Sequence, residues 1–224
     1  MDDRVAKGNM GAQRRVRDAE TTRGEIIEAA RAEFAAKGFS GARVDDIAAR
    51  TRTTKPAIYY HFHSKEELYI AVLEAAYAGM REVEQGLELN GLPAAEAMRR
   101  LVEVCFDYHA DHPDWVRLVS IENTHEARHL AGSASFGERN GAVIGVLGKL
   151  LDRRVREGVF RPGIDPMDLH LMISALCFHR VSNRHTWNAI FGRDLRAPQH
   201  AAAQRVMIVQ AVLRYLQKPG ADIG

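Results

Sequence analysis

Residues 125–129 read HEARH and are followed by LAGS. Two histidines four residues apart, with a glutamate after the first, form the H-E-x-x-H pattern of zinc peptidases, in which both imidazoles bind the metal and the glutamate is the general base. Gly132 also fits the longer H-E-x-x-H-x-x-G form. A catalytic zinc site needs a third protein ligand and an open position for water. The longer form places that ligand at residue 135, which is Ser135.

Other third ligands for a zinc hydrolase would be Glu138 or Glu157, but neither lies in a recognisable zinc-peptidase context. These peptidases also commonly use a sheet edge to hold the substrate, and the sequence contains no strand pattern. We therefore retain a zinc-dependent hydrolase only as the alternative function, and we predict no catalytic residue, no metal site and no cofactor.

The same residues have other possible roles. On a helix, Leu118, Glu122, His125 and His129 share one face. That face could line a cavity in which His125 and Glu122 recognise a polar group of a small molecule. It could equally be solvated or hydrogen-bonded to its neighbours. A regulatory metal site of Glu122, His125 and His129 is a further alternative.

The bulk composition predicts a cytoplasmic globular protein. The chain has 224 residues, of which 46% are hydrophobic and 27% charged. No apolar run approaches the roughly 18 residues of a membrane-spanning helix, and the polar N-terminus lacks the apolar middle of a secretory signal. Cys105 and Cys177 each lie in an apolar run, as reduced core cysteines do.

Charge is distributed unevenly along the chain. Residues 1–65 hold 13 Lys and Arg against 9 Asp and Glu, whereas the remainder holds 18 against 20. A basic N-terminal third on a mildly acidic remainder is typical of a nucleic-acid-binding domain joined to another domain. Arg14, Arg15 and Arg17 lie in a segment with little apolar periodicity, which predicts a flexible basic arm over residues 1–20.

Apolar residues recur at helical spacing from Thr22 onwards, and the pattern predicts an all-α fold with about nine helices. The first helix should end at Gly38, and the second should cover VDDIAART. Thr54 should cap the third helix, and Ser64 should cap the fourth with Glu67 completing a capping box.

Five more helices are predicted further along the chain, two of them over PAAEAMRRLVEVCFDYHADH and GAVIGVLGKLLDRRVREG. The other three are bounded as follows. One begins at Pro113 and continues through HEARHL to Gly132, one covers about 167–190, and the last covers about 199–217.

The three short helices at the N-terminus predict a helix-turn-helix, with the third helix in the major groove. That helix carries hydroxyl, ammonium and imidazole groups that can reach phosphates and base edges, while Ile58 and Phe62 would hold its other face to the core. Lys65 should meet a phosphate at the start of the fourth helix.

The segment from Thr22 to Leu73, and KPAIYYHFHSKEEL above all, resembles the DNA-binding domain of the TetR family of bacterial transcriptional regulators. The resemblance implies a DNA-binding domain over residues 21–67, followed by a helical ligand-binding and dimerisation domain over 68–218. By position it implies DNA contacts from Thr54, Lys55, Tyr59, Tyr60, His61 and Lys65. Two positions depart from the family pattern: Arg43 stands where Thr or Ser caps the second helix, and Arg52 stands where the turn has glycine. Both arginines could add phosphate contacts.

SIENTHEARHL and two later segments also look similar to the C-terminal domain of one TetR subgroup, without indicating an inducer. The family pairs its last two helices across a homodimer. Suitable stripes are Leu169, Met172, Ile173 and Leu176, then Val206, Val209, Leu213 and Leu216, although each could serve only the internal core.

The function predicted is therefore a repressor, not an enzyme, that binds a near-palindromic operator as a homodimer and is released by a small-molecule effector. A dimeric helical binding protein with a vestigial DNA-binding domain is the third option. The residues predicted to bind the effector are Phe106, His109, Leu118, Glu122, His125, Met172, Leu176 and Arg180.

Overall fold

The computed structural model describes the backbone of residues 3–89, 91–131, 134–156 and 158–218, and the side chains of these residues except 3–18, 94, 134–140, 142 and 154–156. Within these ranges the chain forms ten α-helices and no strand, apart from one isolated bridge between Phe160 and Gln217. The helices are α1 (Asp3–Gly41), α2 (Val44–Thr51), α3 (Lys55–Phe62), α4 (Lys65–Gln85), α5 (Ala94–Asp111), α6 (Pro113–Thr124), α7 (Ala134–Arg156), α8 (Pro166–Ser182), α9 (Arg184–Phe191) and α10 (Pro198–Leu216). The all-α fold class is confirmed. No described helix is long and apolar enough to cross a membrane.

The chain divides into two compact units, residues 1–75 and 76–224, which we call the head and the body. Helix α4 begins in the head and continues into the body. Its first turns belong to the head because Tyr69 is fully buried there, with its ring 4.9 Å from that of Phe34 and 5.2 Å from that of Phe39. The units therefore meet at residue 75, whereas the predicted domains meet at 67.

The head has one apolar core, to which all four of its helices contribute. Its buried side chains include Ile26, Ala30, Phe34, Val44, Ile47, Ile58, Phe62, Leu68, Tyr69 and Val72. The first helix is interrupted at Gly38, where φ of 70° leaves the right-handed helical region, as the sequence predicted for its end. Its helical backbone begins at Asp3, earlier than predicted, and the side chains of Arg14, Arg15 and Arg17 lie outside the described residues. The flexible arm over residues 1–20 stays a prediction.

In the body, α5 packs against α8 and α10, and α7 packs against α8. The predicted stripes of α8 and α10 mostly face this core: Leu169, Ile173, Val209, Leu213 and Leu216 are all buried. Met172 and Leu176 are partly buried against it, and Val206 is exposed. Both cysteines are free and buried, as predicted.

Two predicted helices end earlier than the sequence indicated. The predicted helix over 167–190 is interrupted at Asn183, and its second part is the separate helix α9. Helix α6 ends at Thr124, so the prediction that HEARH is helical was wrong. Residues 125–131 form turns because Glu126 and Ala127 adopt left-handed conformations, with φ of 58° and 55°.

Candidate nucleic-acid interface and ligand site

The turn between α2 and α3 has the geometry of a helix-turn-helix. Arg52 ends α2 with φ of 54° and ψ of 25°, the left-handed conformation that favours glycine. Thr54 then caps α3, because its hydroxyl accepts a hydrogen bond from the Ala57 N–H at 3.3 Å. Ser64 caps α4 in the same way, accepting from the Glu67 N–H at 3.0 Å. These caps were predicted from the sequence, and they fix the direction of α3.

Helix α3 has one buried face and one exposed face. Ile58 and Phe62 are 1% and 3% exposed, whereas the Tyr60 side chain on the other face is 80% exposed. Thr54 and Lys55 are also exposed, and Tyr59 and His61 are half-buried. The predicted DNA-contacting residues of α3 are therefore presented at the surface by a helix held at its opposite face.

The cations near α3 have carboxylate or aromatic partners within the head. Lys55 Nζ lies 3.0 Å from Asp45 Oδ2, and both side chains are substantially exposed. The Lys65 ammonium lies 4.9 Å from the centroid of the Phe39 ring, and burial lowers the pKa of Lys65. Lys55 and Lys65 are thus positioned before any DNA binds.

Arg43 has a different location from the other predicted contacts, because it precedes α2. It is exposed, and its side chain makes no capping hydrogen bond. This was expected because Arg43 stands where the family has a capping Thr or Ser. Its backbone N–H donates instead to Glu33 Oε1 at 3.4 Å. The fully buried Glu33 carboxylate also pairs with Lys37 at 2.7 Å and Arg50 at 3.3 Å, so it holds α1 to α2 where the usual cap is missing.

The predicted effector residues do not form one site in the body. Phe106, Leu176 and Arg180 lie between α5, α8 and α10, where Leu176 and Arg180 line a cavity of about 410 Å³. The Arg180 guanidinium lies 4.0 Å from the Phe106 ring centroid and donates to Gln204 Oε1 and to the Leu195 carbonyl. Burial lowers the pKa of Arg180. This arginine already has a partner for its charge in the Phe106 ring and acceptors for two of its N–H groups.

Glu122, His125 and His129 have separate environments because α6 stops at Thr124. The buried Glu122 carboxylate accepts from the His129 backbone N–H at 2.8 Å and lies 2.9 Å from His129 Nδ1. His125 is half-exposed in the turn, and Glu126 is exposed. The two histidines therefore do not lie one helical turn apart, as the zinc-peptidase pattern requires. Among the described residues, no three His, Cys, Asp or Glu side chains are grouped to hold a metal ion. Gly132 and Glu157 lie outside the described residues, and so do the side chains of Ser135 and Glu138.

The three other predicted effector residues differ in burial. Leu118 is fully buried in the body, and Met172 is partly buried against the core. His109 is 1% exposed and its ring centroid lies 4.8 Å from that of Trp115. Of these three, His109 alone contributes a buried polar group.

Four residues near His109 were not predicted from the sequence. Tyr77, Arg81 and Glu84 lie along one side of α4, and Trp115 is the third residue of α6. Arg81 is hydrogen-bonded to Glu84, and both side chains are nearly buried. Burial, opposed by the Arg81 charge, raises the pKa of Glu84 to about 7. Charged residues at the spacing of a buried helical face were the signal that could have identified them.

Comparisons with known proteins agree with this arrangement. Residues 26–72 match the family model for bacterial regulatory proteins of the tetR family, and residues 95–212 match the tetracyclin repressor-like C-terminal domain. The chain is 34% identical over 204 residues to the HTH-type transcriptional repressor NicS of Pseudomonas putida, covering 91% of this chain and 96% of NicS. It is 29% identical over 178 residues to the HTH-type transcriptional regulator RutR of Escherichia coli K12, covering 76% and 79%.

The fold is also similar to solved structures. The crystal structure of SCO4942 from Streptomyces coelicolor superimposes with a TM-score of 0.66 at 30% identity, covering 88% of this chain and 99% of that one. The two family models and the NicS relative show that the chain belongs to the tetR family of bacterial regulatory proteins.

Proposed function

We propose that the protein binds a near-palindromic operator as a homodimer and is released from it by a small-molecule effector. The observation that carries this proposal is the exposed polar face of α3, with Tyr60 at 80% exposure on a helix whose opposite face is buried. A helix held in this way can enter the major groove without rearrangement. The proposed DNA contacts are Arg43, Thr54, Lys55, Tyr59, Tyr60, His61 and Lys65.

Exchange of ion-pair partners supports the role of Lys55. An exposed pair such as Lys55–Asp45 contributes only about 0–1 kcal/mol, so the lysine can leave Asp45 for a DNA phosphate at little cost. Each phosphate that is neutralised adds about 0.9 to the slope of log affinity against log salt concentration.

The test of operator binding uses fluorescence anisotropy with DNA flanking the protein's own gene, measured over a series of salt concentrations. We expect Lys55→Ala to weaken binding and to reduce the salt slope by about 1. Lys218→Ala, which removes an exposed lysine at the far end of the chain, should change neither quantity. Salt-insensitive binding by the unmodified protein would refute the proposal.

The exposed faces of α8 and α10 support the homodimer. Met167, Leu171, Val206 and Met207 are 57–66% exposed, although they are large and apolar. Large exposed apolar residues on two neighbouring helices are typical of an interface, and a second copy of the chain offers the same residues under two-fold symmetry. Leu171→Glu should produce a monomer in sedimentation experiments and weaken operator binding, whereas Val83→Glu, at an exposed apolar position of α4, should leave the dimer intact. A dimeric Leu171→Glu protein would assign the interface to another surface.

Release by the effector requires that the body influence the head. Helix α4 is part of both units and is their covalent connection. An effector that binds one conformation of the body more tightly shifts the population towards it, and the shift is limited by the difference in affinity. We propose that the conformation favoured by the effector holds the two α3 helices of the dimer at a spacing that does not fit the operator. The HEARH segment has no catalytic role in this proposal.

A further inference from the structure

Four buried side-chain polar atoms in the body have no hydrogen-bond partner within the described residues. One is Arg161 Nε, whose guanidinium lies over the Tyr215 ring; the other three are Arg81 Nε, His109 Nε2 and Trp115 Nε1. These residues are 9%, 1% and 6% exposed. More than nine-tenths of buried polar groups in proteins are hydrogen-bonded, because an unpaired buried donor or acceptor destabilises the fold. Three exceptions in one region call for a partner from outside the chain.

The three residues come from three helices, and two of them, His109 and Trp115, are in contact. The His109 and Trp115 ring centroids are 4.8 Å apart, at an interplanar angle of 82°. The charge of Arg81 contributes to lowering the pKa of His109, although burial is the largest cause. Tyr77, one turn before Arg81 on α4, lies edge-on to Trp115 at 6.0 Å. Helices α4, α5 and α6 thus each contribute one polar group to this cluster.

The hydrogen bond at His109 Nδ1 determines whether Nε2 of the same ring donates or accepts a hydrogen bond. Nδ1 lies 2.6 Å from the Cys105 carbonyl oxygen, which only accepts, so Nδ1 carries the hydrogen and donates it. Burial lowers the pKa of His109 to about 4, which keeps the ring neutral at pH 7. Nε2 is therefore an acceptor. Trp115 Nε1 and Arg81 Nε each carry a hydrogen and donate.

The surroundings of the cluster are aromatic. Trp115 lies edge-on to Tyr108 at 6.0 Å and to Phe178 at 6.1 Å, and His109 lies edge-on to Phe178 at 6.2 Å. Aromatic side chains favour flat ring ligands through stacking and edge-to-face contacts. Small-molecule sites in proteins commonly combine apolar and aromatic side chains with a few polar groups that orient the ligand.

From the two donors, the one acceptor and the aromatic walls, we infer that the effector is a small flat ring compound. It carries an oxygen that accepts hydrogen bonds from Trp115 and Arg81, and a hydroxyl or ring N–H that donates to His109 Nε2. This inference rests on the proposed function, because it assigns the effector of that repressor. A carboxylate and a neutral ring carbonyl both supply the acceptor oxygen, and the experiment distinguishes them.

The experiment measures probe binding by the fluorescence of Trp115 in a Trp187→Phe background, since the chain has two tryptophans. The probes are 4-hydroxybenzoate, which is anionic, and 2-pyridone, which is neutral; both have an acceptor oxygen and a donor. Benzoate lacks the donor and phenol lacks the second oxygen. We expect one of the first two to bind at least about 10-fold more tightly than benzoate and phenol, since each hydrogen bond contributes about 0.5–1.5 kcal/mol.

Two variants locate the bound probe by calorimetric titration. His109→Phe removes the acceptor and Trp115→Phe removes the N–H while both keep an aromatic ring, and each should weaken the better probe about 10-fold. Trp187→Phe is the matched control for the second variant and should bind the probe as tightly as the unmodified protein. If His109→Phe does not fold, as judged by circular dichroism, Trp115→Phe decides the result.

Failure of the inference can be distinguished from failure of the repressor proposal. Operator binding without probe should be the same in the unmodified protein and in both variants. The inference is overturned if operator binding is intact while neither probe binds more tightly than its controls, or while the variants bind the probe as tightly as the unmodified protein. Loss of operator binding in the unmodified protein would instead refute the repressor.

Discussion

The surface of the head around α2 and α3 and the buried cluster around His109 in the body use charged residues in opposite ways. In the head, the Lys55–Asp45 side chains are 45% and 64% exposed, and the Lys37–Asp46 side chains are both 44% exposed. In the body, the Arg81–Glu84 side chains are 10% and 6% exposed. Glu33 is the exception in the head, because its carboxylate is fully buried. Exposed pairs exchange partners at little cost, whereas breaking a buried pair costs about 3–5 kcal/mol.

This difference matches the two ligands of the proposed repressor, which are DNA for the head and a small-molecule effector for the body. DNA presents the same phosphates to every repressor, so a surface of exchangeable cations serves all of them. An effector enters a core, where each buried polar group must match one group of the ligand. The resemblance to the family is therefore densest in the head, and under the proposed function the body would determine which effector is recognised.

The largest expected effect tests whether the two units are stable independently. Phe34 is fully buried and packs on Tyr69, so Phe34→Ala should lower the free energy of unfolding of the head by about 3–5 kcal/mol and abolish operator binding. Both tryptophans lie in the body, so the denaturant transition followed by tryptophan fluorescence should not move, while part of the circular dichroism transition moves to lower denaturant.

Phe191→Ala is the control, because that side chain is 64% exposed and its removal should change stability by less than about 0.5 kcal/mol. A fluorescence transition that shifts together with circular dichroism in Phe34→Ala would show that head and body unfold as one.

The second prediction concerns the pH dependence of the body. The folded pKa of His109 is about 4, below the ordinary value of 6.5, so the unfolded chain takes up the proton first as pH falls. Stability is lost between about pH 6.5 and 4, and the loss from this group is about 3 kcal/mol. His170, whose pKa burial also lowers, acts in the same direction. Denaturant unfolding from pH 7 to pH 4, followed by fluorescence, should show His109→Phe losing less stability than the unmodified protein.

Glu84, in the same unit, makes stability depend on pH in the opposite direction. Its folded pKa of about 7 lies above the ordinary 4.5, so the folded state holds the proton more tightly and stability falls as pH rises from about 4.5 to 7. Glu84→Gln should flatten that part of the curve. An unchanged slope in either variant would mean that the buried group does not titrate as its burial requires.

Local signals in the sequence were enough to predict the head. The hydroxyls of Thr54 and Ser64 cap their helices by accepting from N–H groups three residues away, and such contacts can be inferred from spacing alone. The reciprocal bond from the Glu67 side chain, which would complete the capping box, stays a prediction. The end of α6 could not be predicted in this way. HEARHL contains good helix formers and no Gly or Pro, and the turn is made instead by Glu122, whose carboxylate reaches forward to His129.

Only one residue of the proposed ligand cluster could be identified from the sequence, for a similar reason. His109 was identified because it lies on the apolar stripe of α5. Arg81 and Trp115 lie on α4 and α6, and their approach to His109 depends on how three helices pack, which periodicity within one helix does not specify. The break at Asn183 likewise separates α9 from α8 within a stretch that the sequence assigned to one helix.

The third prediction compares two glutamates four residues apart. Glu122→Gln keeps one acceptor for the His129 backbone N–H but turns an amide N–H₂ towards the His129 ring, so the free energy of unfolding should fall by about 1–3 kcal/mol. Glu126→Gln, at the exposed position that the zinc-peptidase pattern would make catalytic, should change it by less than about 0.5 kcal/mol. Chemical denaturation at pH 7 measures both, and equal effects would contradict the structural role of Glu122.

The smallest expected effect is at Arg52, where conformation and charge act against each other in the head. Left-handed backbone costs a residue with a side chain about 1–2 kcal/mol, and glycine avoids this cost but gives the unfolded chain more freedom. Arg52→Gly should therefore raise the free energy of unfolding by up to about 1 kcal/mol. If the guanidinium meets a phosphate, the same change should weaken operator binding and reduce the salt slope by about 0.9. A more stable variant with an unchanged slope would show that Arg52 contributes no phosphate contact, and the exchangeable cations of the head would then be those near α3 alone.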